Sequence, residues 1–226
     1  MRLFIIMKCL LLLLLTSCIP LNIPKSADSS ETQTDLYSSS DLKKKMEEMQ
    51  ISPFYFRDLV NGLSDEIEDT DKEIIVVDTR ELWPVVFPNK TPDAEVSLVE
   101  VLQNESRNIL LEKGIEFLII LDKYTETEQG ENWAFWPAAT LEEQTSCSWL
   151  LVEINNFSEI QTFLTKSEGK GHAGWIPAYF LLFFITSTDP NTEQKAISTL
   201  AEDAVNEMRK IKPAGLIKIS VIAGAF

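Results

Sequence analysis

The stretch Leu111-Glu112-Lys113-Gly114-Ile115-Glu116-Phe117-Leu118-Ile119-Ile120-Leu121 decides the fold. It closes an amphipathic segment, passes through a glycine and enters the apolar run EFLIIL. A glycine at that place supplies the positive φ that ends a helix. A short apolar run rich in branched residues reads as a buried strand. The segment before it predicts a helix over about 93–113. Ser97-Leu98-Val99-Glu100 matches a capping box, and Thr91-Pro92 offers an earlier start. Val99, Leu102, Ser106 and Ile109/Leu110 mark its apolar face. Further back, Glu73-Ile74-Ile75-Val76-Val77-Asp78 predicts another buried strand, followed by a loop containing Pro84, Pro88 and Pro92. Strand, helix and strand of these lengths imply a parallel pair joined by a right-handed crossover.

Downstream of Leu121, residues 146–166 read as a hairpin. Leu150, Val152 and Ile154 alternate on one arm, Ile160, Thr162 and Leu164 on the other, and Asn155-Asn156 supply the turn. Gly174 to Thr186, GWIPAYFLLFFIT, is the most unusual segment. A helix is expected from Asp189, with Pro190 in its first turn and a stripe of Ile197, Leu200, Ala204, Met208 and Ile211. Pro213 and Gly215 stop it, and Leu216 to Ile222 form the last strand. The expected order is β-α-β-β-β-α-β. This is the α/β class: one small mixed sheet of about five strands with helices packed on it.

Upstream, residues 41–50 read as a helix in which Lys43 and Lys44 face Glu47 and Glu48. A second short helix is expected from Phe54 to Leu63, with Gly62 near its end. The acidic stretch Asp65 to Asp71 lacks the glycine and the distal glutamate of a calcium loop. It reads as a solvated turn. Residues 19–40 are rich in Ser, Thr and Pro and read as a flexible tether. The single domain is expected over 41–226.

The composition excludes several classes. Thirty-five acidic residues stand against 20 basic ones, a net charge of −15, which opposes binding to nucleic acid phosphates. One histidine leaves little room for His-based metal sites or catalytic triads.

The chain opens with Arg2 and Lys8 flanking an apolar run, Leu10 to Leu15, and then Thr16, Ser17 and Cys18. A segment of this kind is an export signal, too short to span a bilayer permanently. Leu15-Thr16-Ser17-Cys18 resembles the lipobox of bacterial lipoproteins. That resemblance implies cleavage of residues 1–17 and acylation of Cys18, so that the lipid bilayer is the first partner. Two or three acyl chains on one residue hold firmly, where one holds only marginally. Residue Ile19 follows. The enterobacterial pattern uses Asp there for inner-membrane retention, so the resemblance implies the outer membrane, facing the periplasm. Cleavage removes two basic residues and no acidic ones and leaves 18 against 35, or −17. It also leaves Cys147 as the one other cysteine, between Ser146 and Ser148, expected to be buried and inert.

The order of elements resembles the small α/β domain of envelope lipoproteins such as the curli-secretion lipoprotein CsgG, the penicillin-binding-protein activator LpoB and the N-terminal domain of TolB. The resemblance rests on Leu111 to Ile119 and on Val152 to Ile160, where the family's turn glycine is missing, and it covers roughly residues 73–222. The sequence shows nothing of the amphipathic hairpins that curli secretion uses to build a pore.

Gly169-Lys170-Gly171-His172-Ala173-Gly174 spells GxGxxG, but Trp175-Ile176-Pro177 follows where a dinucleotide site requires a helix. It reads as a flexible glycine loop, and His172 as an exposed loop residue. No nucleotide, cofactor, metal or catalytic constellation is expected. Two aromatic clusters remain: Trp133, Phe135 and Trp136, and the segment containing Trp175, Ile176, Tyr179, Phe180 and Phe183. Core packing is the plain reading of both. The functional readings are contact with the bilayer or an envelope protein, and stacking of Trp133, Trp136 and Trp175 on peptidoglycan sugars. The chain is therefore expected to be a non-enzymatic, lipid-anchored binding or assembly module. A glycan-binding module and an unrecognised hydrolase are the alternatives.

Overall fold

The computed structural model describes residues 29–35, 44, 46–91, 94–135, 138–155, 161–178, 181–187 and 192–224. The strands are β1 (Ser29–Asp35), β2 (Gln50–Ser52), β3 (Ile74–Val76), β4 (Val96–Ser97), β5 (Phe117–Phe135), β6 (Ala138–Glu153), β7 (Gln161–Ala178), β8 (Leu181–Ser187) and β9 (Ile217–Gly224). The helices are α1 (Arg57–Thr70), α2 (Thr79–Val86), α3 (Leu98–Val101), α4 (Asn104–Glu112) and α5 (Thr192–Ile211). The protein is α/β, with one mixed sheet ordered β1-β7-β6-β5-β9-β2-β4; β3 also pairs with β9, and β8 with β7.

The five expected strands form the middle of this sheet, but one adjacency differs. β3 and β5 are not neighbours. Both run parallel to β9, which lies between them. The last strand therefore occupies the position that the crossover rule gives to a direct pair.

Alternation along the strands divides the core in two. Phe117, Ile119 and Leu121 of β5, Ile217, Ile219 and Val221 of β9, and Trp149 and Leu151 of β6 pack against α1 and α5. Leu118 and Ile120, Ile222, and Leu150 and Val152 pack with α2, α3 and α4 on the other face. Burial on both faces is what permits parallel pairing, and it explains why EFLIIL does not alternate. Each fully buried aliphatic side chain stabilises the fold by about 2 kcal/mol.

The helices differ from their expected limits. α1 starts later than Phe54 and runs through the acidic stretch to Thr70, because Ile67 is fully buried one turn beyond Leu63. The acidic residues are thus mostly the outer face of a helix, not a turn. The helix expected over 93–113 is broken. Ser97 caps α3, its Oγ accepting from the Glu100 N–H at 3.2 Å, and the chain restarts as α4 after Gln103. Gly114 does adopt φ +78°. The Ile115 N–H donates to Leu110 O and the Gly114 N–H to Leu111 O, the paired bonds of a Schellman cap. On α5 the buried stripe is Ala196, Leu200, Ala204, Val205 and Met208, while Ile211 is exposed. Lys44 and Glu48 form the expected i,i+4 pair.

The largest difference is strand length. β5, β6 and β7 run on for 19, 16 and 18 residues, well beyond the helical layers that cover their inner halves. Part of the expected tether is also structured. Ser29–Asp35 adds antiparallel to β7, with Ser29 opposite Glu168 and Asp35 opposite Thr162. Strand addition at an edge uses backbone hydrogen bonds and needs no apolar pattern, so the polar sequence SSETQTD gave no sign of it.

Candidate functional site

The two aromatic clusters, some forty residues apart in sequence, are brought by the strand register to one end of the sheet. Phe135 of β5 lies opposite Ala138 of β6, Ala138 opposite Gly174 of β7, and Gly174 opposite Ile185 of β8. One row thus joins all four strands. Trp133 lies two residues before it on β5. Beyond the row, β7 continues with β8 alone: Trp175 opposite Phe184, Ile176 opposite Phe183, and so on to Ala178 opposite Leu181. The β7–β8 hairpin therefore projects past the β5–β6 hairpin by about 13 Å, at the usual rise along a strand. Trp136, Tyr179, Phe180 and Cys18 lie outside the described residues.

Three register shifts punctuate β5, between Leu121 and Lys123, Gln129 and Asn132, and Asn132 and Phe135. Each sets one extra β5 residue against β6. Bulges bend a strand and raise its twist, so the outer half of the sheet coils relative to its base.

The base of this extension is rigid and chemically quiet. Trp149 is fully buried and stacks on Phe163 with ring centres 4.2 Å apart. Its indole N–H donates to Thr165 Oγ1 at 3.2 Å. The hydroxyls of Thr145 and Thr192 meet at 3.2 Å and pin the start of α5 to β6. Cys147 is buried, as expected. Burial and, to a lesser extent, the Asp122 carboxylate push its thiol up to about 12, the opposite of an activated thiolate. Burial and the Glu126 carboxylate likewise push the Tyr124 phenol upward.

Two other places could hold small ligands. One is the crevice beyond the carboxyl end of β3, where open α/β sheets often bind them. Thr79 Oγ1 donates to Val221 O at 2.5 Å and Ser220 Oγ donates to Val77 O at 3.0 Å. The two hydroxyls also lie 2.8 Å from each other, and the network ties Val77 and the start of α2 to β9. Asp78 caps α2, and its bonds to Arg80 hold its carboxyl below the usual range. The other is a groove of about 680 Å³ between the end of α2 and α3–α4, bridged by Lys90 and Glu100 at 2.9 Å. Neither holds a nucleophile beside a base. Among the described residues no three His, Cys, Asp or Glu side chains converge to hold a metal ion.

The glycine-rich motif is a strand, not a loop. Residues 169–174 pair with β6 throughout, and His172 lies opposite Thr140 on one side and Ser187 on the other. The expectation of an irregular glycine loop is corrected: β6 pairs with the whole segment, and β8 joins on the other side from His172 onward. What the sequence reading missed was the convergence of the clusters. Its one signal was that two segments, 132–141 and 173–186, are both uncharged and rich in aromatic residues. Compared with protein-family models, curated proteins and solved structures, the chain matches none.

Proposed function

We propose that the protein is a lipid-anchored envelope lipoprotein whose α/β domain serves as a non-enzymatic binding or assembly module. The observation that carries this reading is Leu15-Thr16-Ser17-Cys18 directly after a charged and then apolar segment. Acylation at Cys18 attaches the chain to the outer membrane, and Ile19 in place of Asp favours that membrane over the inner one. The domain supports a binding role in two ways. Its one described thiol is held protonated, and the Thr79 and Ser220 hydroxyls lie in bonds to backbone carbonyls. The strand register also brings Phe135 of β5, Trp175 and Ile176 of β7 and Phe183 of β8 to one end of the sheet.

The test is metabolic labelling with a palmitate analogue together with membrane fractionation. Wild-type protein is expected to carry the label and to sediment with membranes. Cys18→Ala is expected to lose both. Retention of the label by Cys18→Ala would overturn the anchor.

A further inference from the structure

We infer that the aromatic end of the sheet is a second membrane contact, seated in the same leaflet that receives the acyl chains of Cys18. This rests on the lipoprotein reading above and adds to it an orientation and a depth.

The first argument is chemical. From Ala173 to Thr186 there is no charged residue, and none from Asn132 to Leu141. The register places these two segments side by side at the sheet's end. A sugar-binding site needs polar groups to meet ring hydroxyls. Between Gly174 and Ile185, Tyr179 is the one polar side chain besides the Trp175 indole. Trp, Tyr and Phe without charge suit the boundary of a bilayer instead. The acidic residues Glu126, Glu128, Glu131, Glu142 and Glu143 lie on the rows just behind and set a limit to insertion.

The second argument is length. The uncharged arms of the β7–β8 hairpin, 173–178 and 181–186, have six residues each. A spanning strand needs about 9–11 residues. The end therefore enters one leaflet and does not cross.

The third argument is the direction of the anchor. β1 is antiparallel to β7, and its first residue, Ser29, lies opposite Glu168 while its last lies nearer the start of β7. The N-terminal end of β1, Ser29, is thus the end nearer the aromatic tip. Ten residues lie between Cys18 and Ser29, and the eleven steps from one to the other span at most about 36–40 Å. From the Glu168 row, Trp175 is about 23 Å and Ala178 about 33 Å along β7. The anchor and the tip can therefore share one plane, with little slack. The opposite direction for β1 would have put them at opposite ends of the domain.

The test uses the full acylated protein in phosphatidylcholine vesicles that contain lipids brominated at shallow acyl positions, which quench tryptophan on contact. Three of the five tryptophans, Trp133, Trp136 and Trp175, belong to the tip segments, while Trp83 and Trp149 are buried in the cores. Emission is expected to fall by roughly half, the share of three interfacial tryptophans in five. Replacing those three by Phe should abolish the quenching. Ile176→Asp with Phe183→Asp should abolish it too, while flotation with the vesicles and the far-UV spectrum stay unchanged. Vesicles with added anionic lipid should give no more quenching than neutral ones. Flotation reads the anchor and quenching reads the tip. Protein that floats without quenching overturns this inference and leaves the lipoprotein reading standing; protein that does not float overturns the anchor itself. Retention of the tip by isolated peptidoglycan, with no quenching by lipid, would also overturn it.

Discussion

The contact between Trp149 and Thr165 offers a sharp measurement of what holds the long strands to the core. Trp149 sits opposite Phe163 on neighbouring strands, fully buried, and its indole N–H has Thr165 Oγ1 at 3.2 Å. Thr165 is itself fully buried. Trp149→Ala would cost about 3–5 kcal/mol for the lost ring alone, a large share of a typical total of about 5–15 kcal/mol. The informative variants are gentler. Trp149→Phe keeps a ring on Phe163 but leaves the threonine hydroxyl buried without that donor, costing about 1–3 kcal/mol. Thr165→Val is nearly the same shape and leaves the indole N–H unpaired, at a similar cost. The double variant contains neither orphan. It should be more stable than the sum of the two single losses allows, with a coupling of about 1 kcal/mol. Urea unfolding followed by far-UV circular dichroism measures all four proteins without relying on tryptophan emission. The slope should be the same throughout. Losses that add to within about 0.3 kcal/mol would refute the reasoning, since independent sites behave that way.

Other expectations concern the ends of elements and the titrating groups. Gly114→Ala should destabilise by about 1 kcal/mol through backbone strain at φ +78°, since the added methyl would only touch Lys218 at an ordinary 3.5 Å. Equal or greater stability in urea would contradict that cap. Cys147 should resist a thiol reagent at pH 8 in a Cys9→Ser, Cys18→Ser background and react fully once the chain is unfolded. Its raised titration leaves stability intact below pH ~8.5 and removes it as the pH climbs toward about 12, where the unfolded chain gains more by ionising. Arg209 bonds Asp71 at 2.6 Å and Glu73 at 3.2 Å, joining α5 to the end of α1 and the start of β3. The bond to Arg209 holds the Asp71 carboxyl below its ordinary range, so its contribution is present above pH ~4 and is lost as the pH falls below that. Arg209→Gln should therefore lower the urea midpoint at pH 6 and make little difference at pH 3; an equal loss at both would argue against the ion pair.

What could be read in the sequence and what could not follows from where the apolar residues are. The inner strands announce themselves because both faces are buried: FLIIL (117–121) and WLLV (149–152) carry apolar residues at every step. Gly114 and Ser97 are legible for a similar reason, since each cap has one residue type that fits it best. The outer halves of β5 and β7 carry no such pattern. Lys123 to Asn132 and Glu168 to His172 are polar or glycine at nearly every position, and their strand geometry comes from pairing with β6, which lies between them, not from their own sequence. The place of β9 between β3 and β5 was hidden because apolar runs show that a strand is central without showing which partners it takes. The candidate end of the sheet was half legible. Its residues could be named from their composition, but their meeting depends on register, which the three bulges in β5 adjust one residue at a time.

That same placement of β9 bears on how the chain comes to be folded at all. Both parallel ladders of the sheet, to β3 and to β5, are made by the strand that comes last of the nine. Contacts across such long separations are slow to form, because the loop they close must be ordered first. A partly synthesised chain has α1, α2 and the β5–β6 hairpin but no strand to place between β3 and β5, so both core clusters stay open along that seam. The closing step waits for residues 217–224 to emerge. On the lipoprotein reading proposed above, a chain exported as an extended polymer would gain from that delay, since it would not lock into its final shape before crossing the membrane.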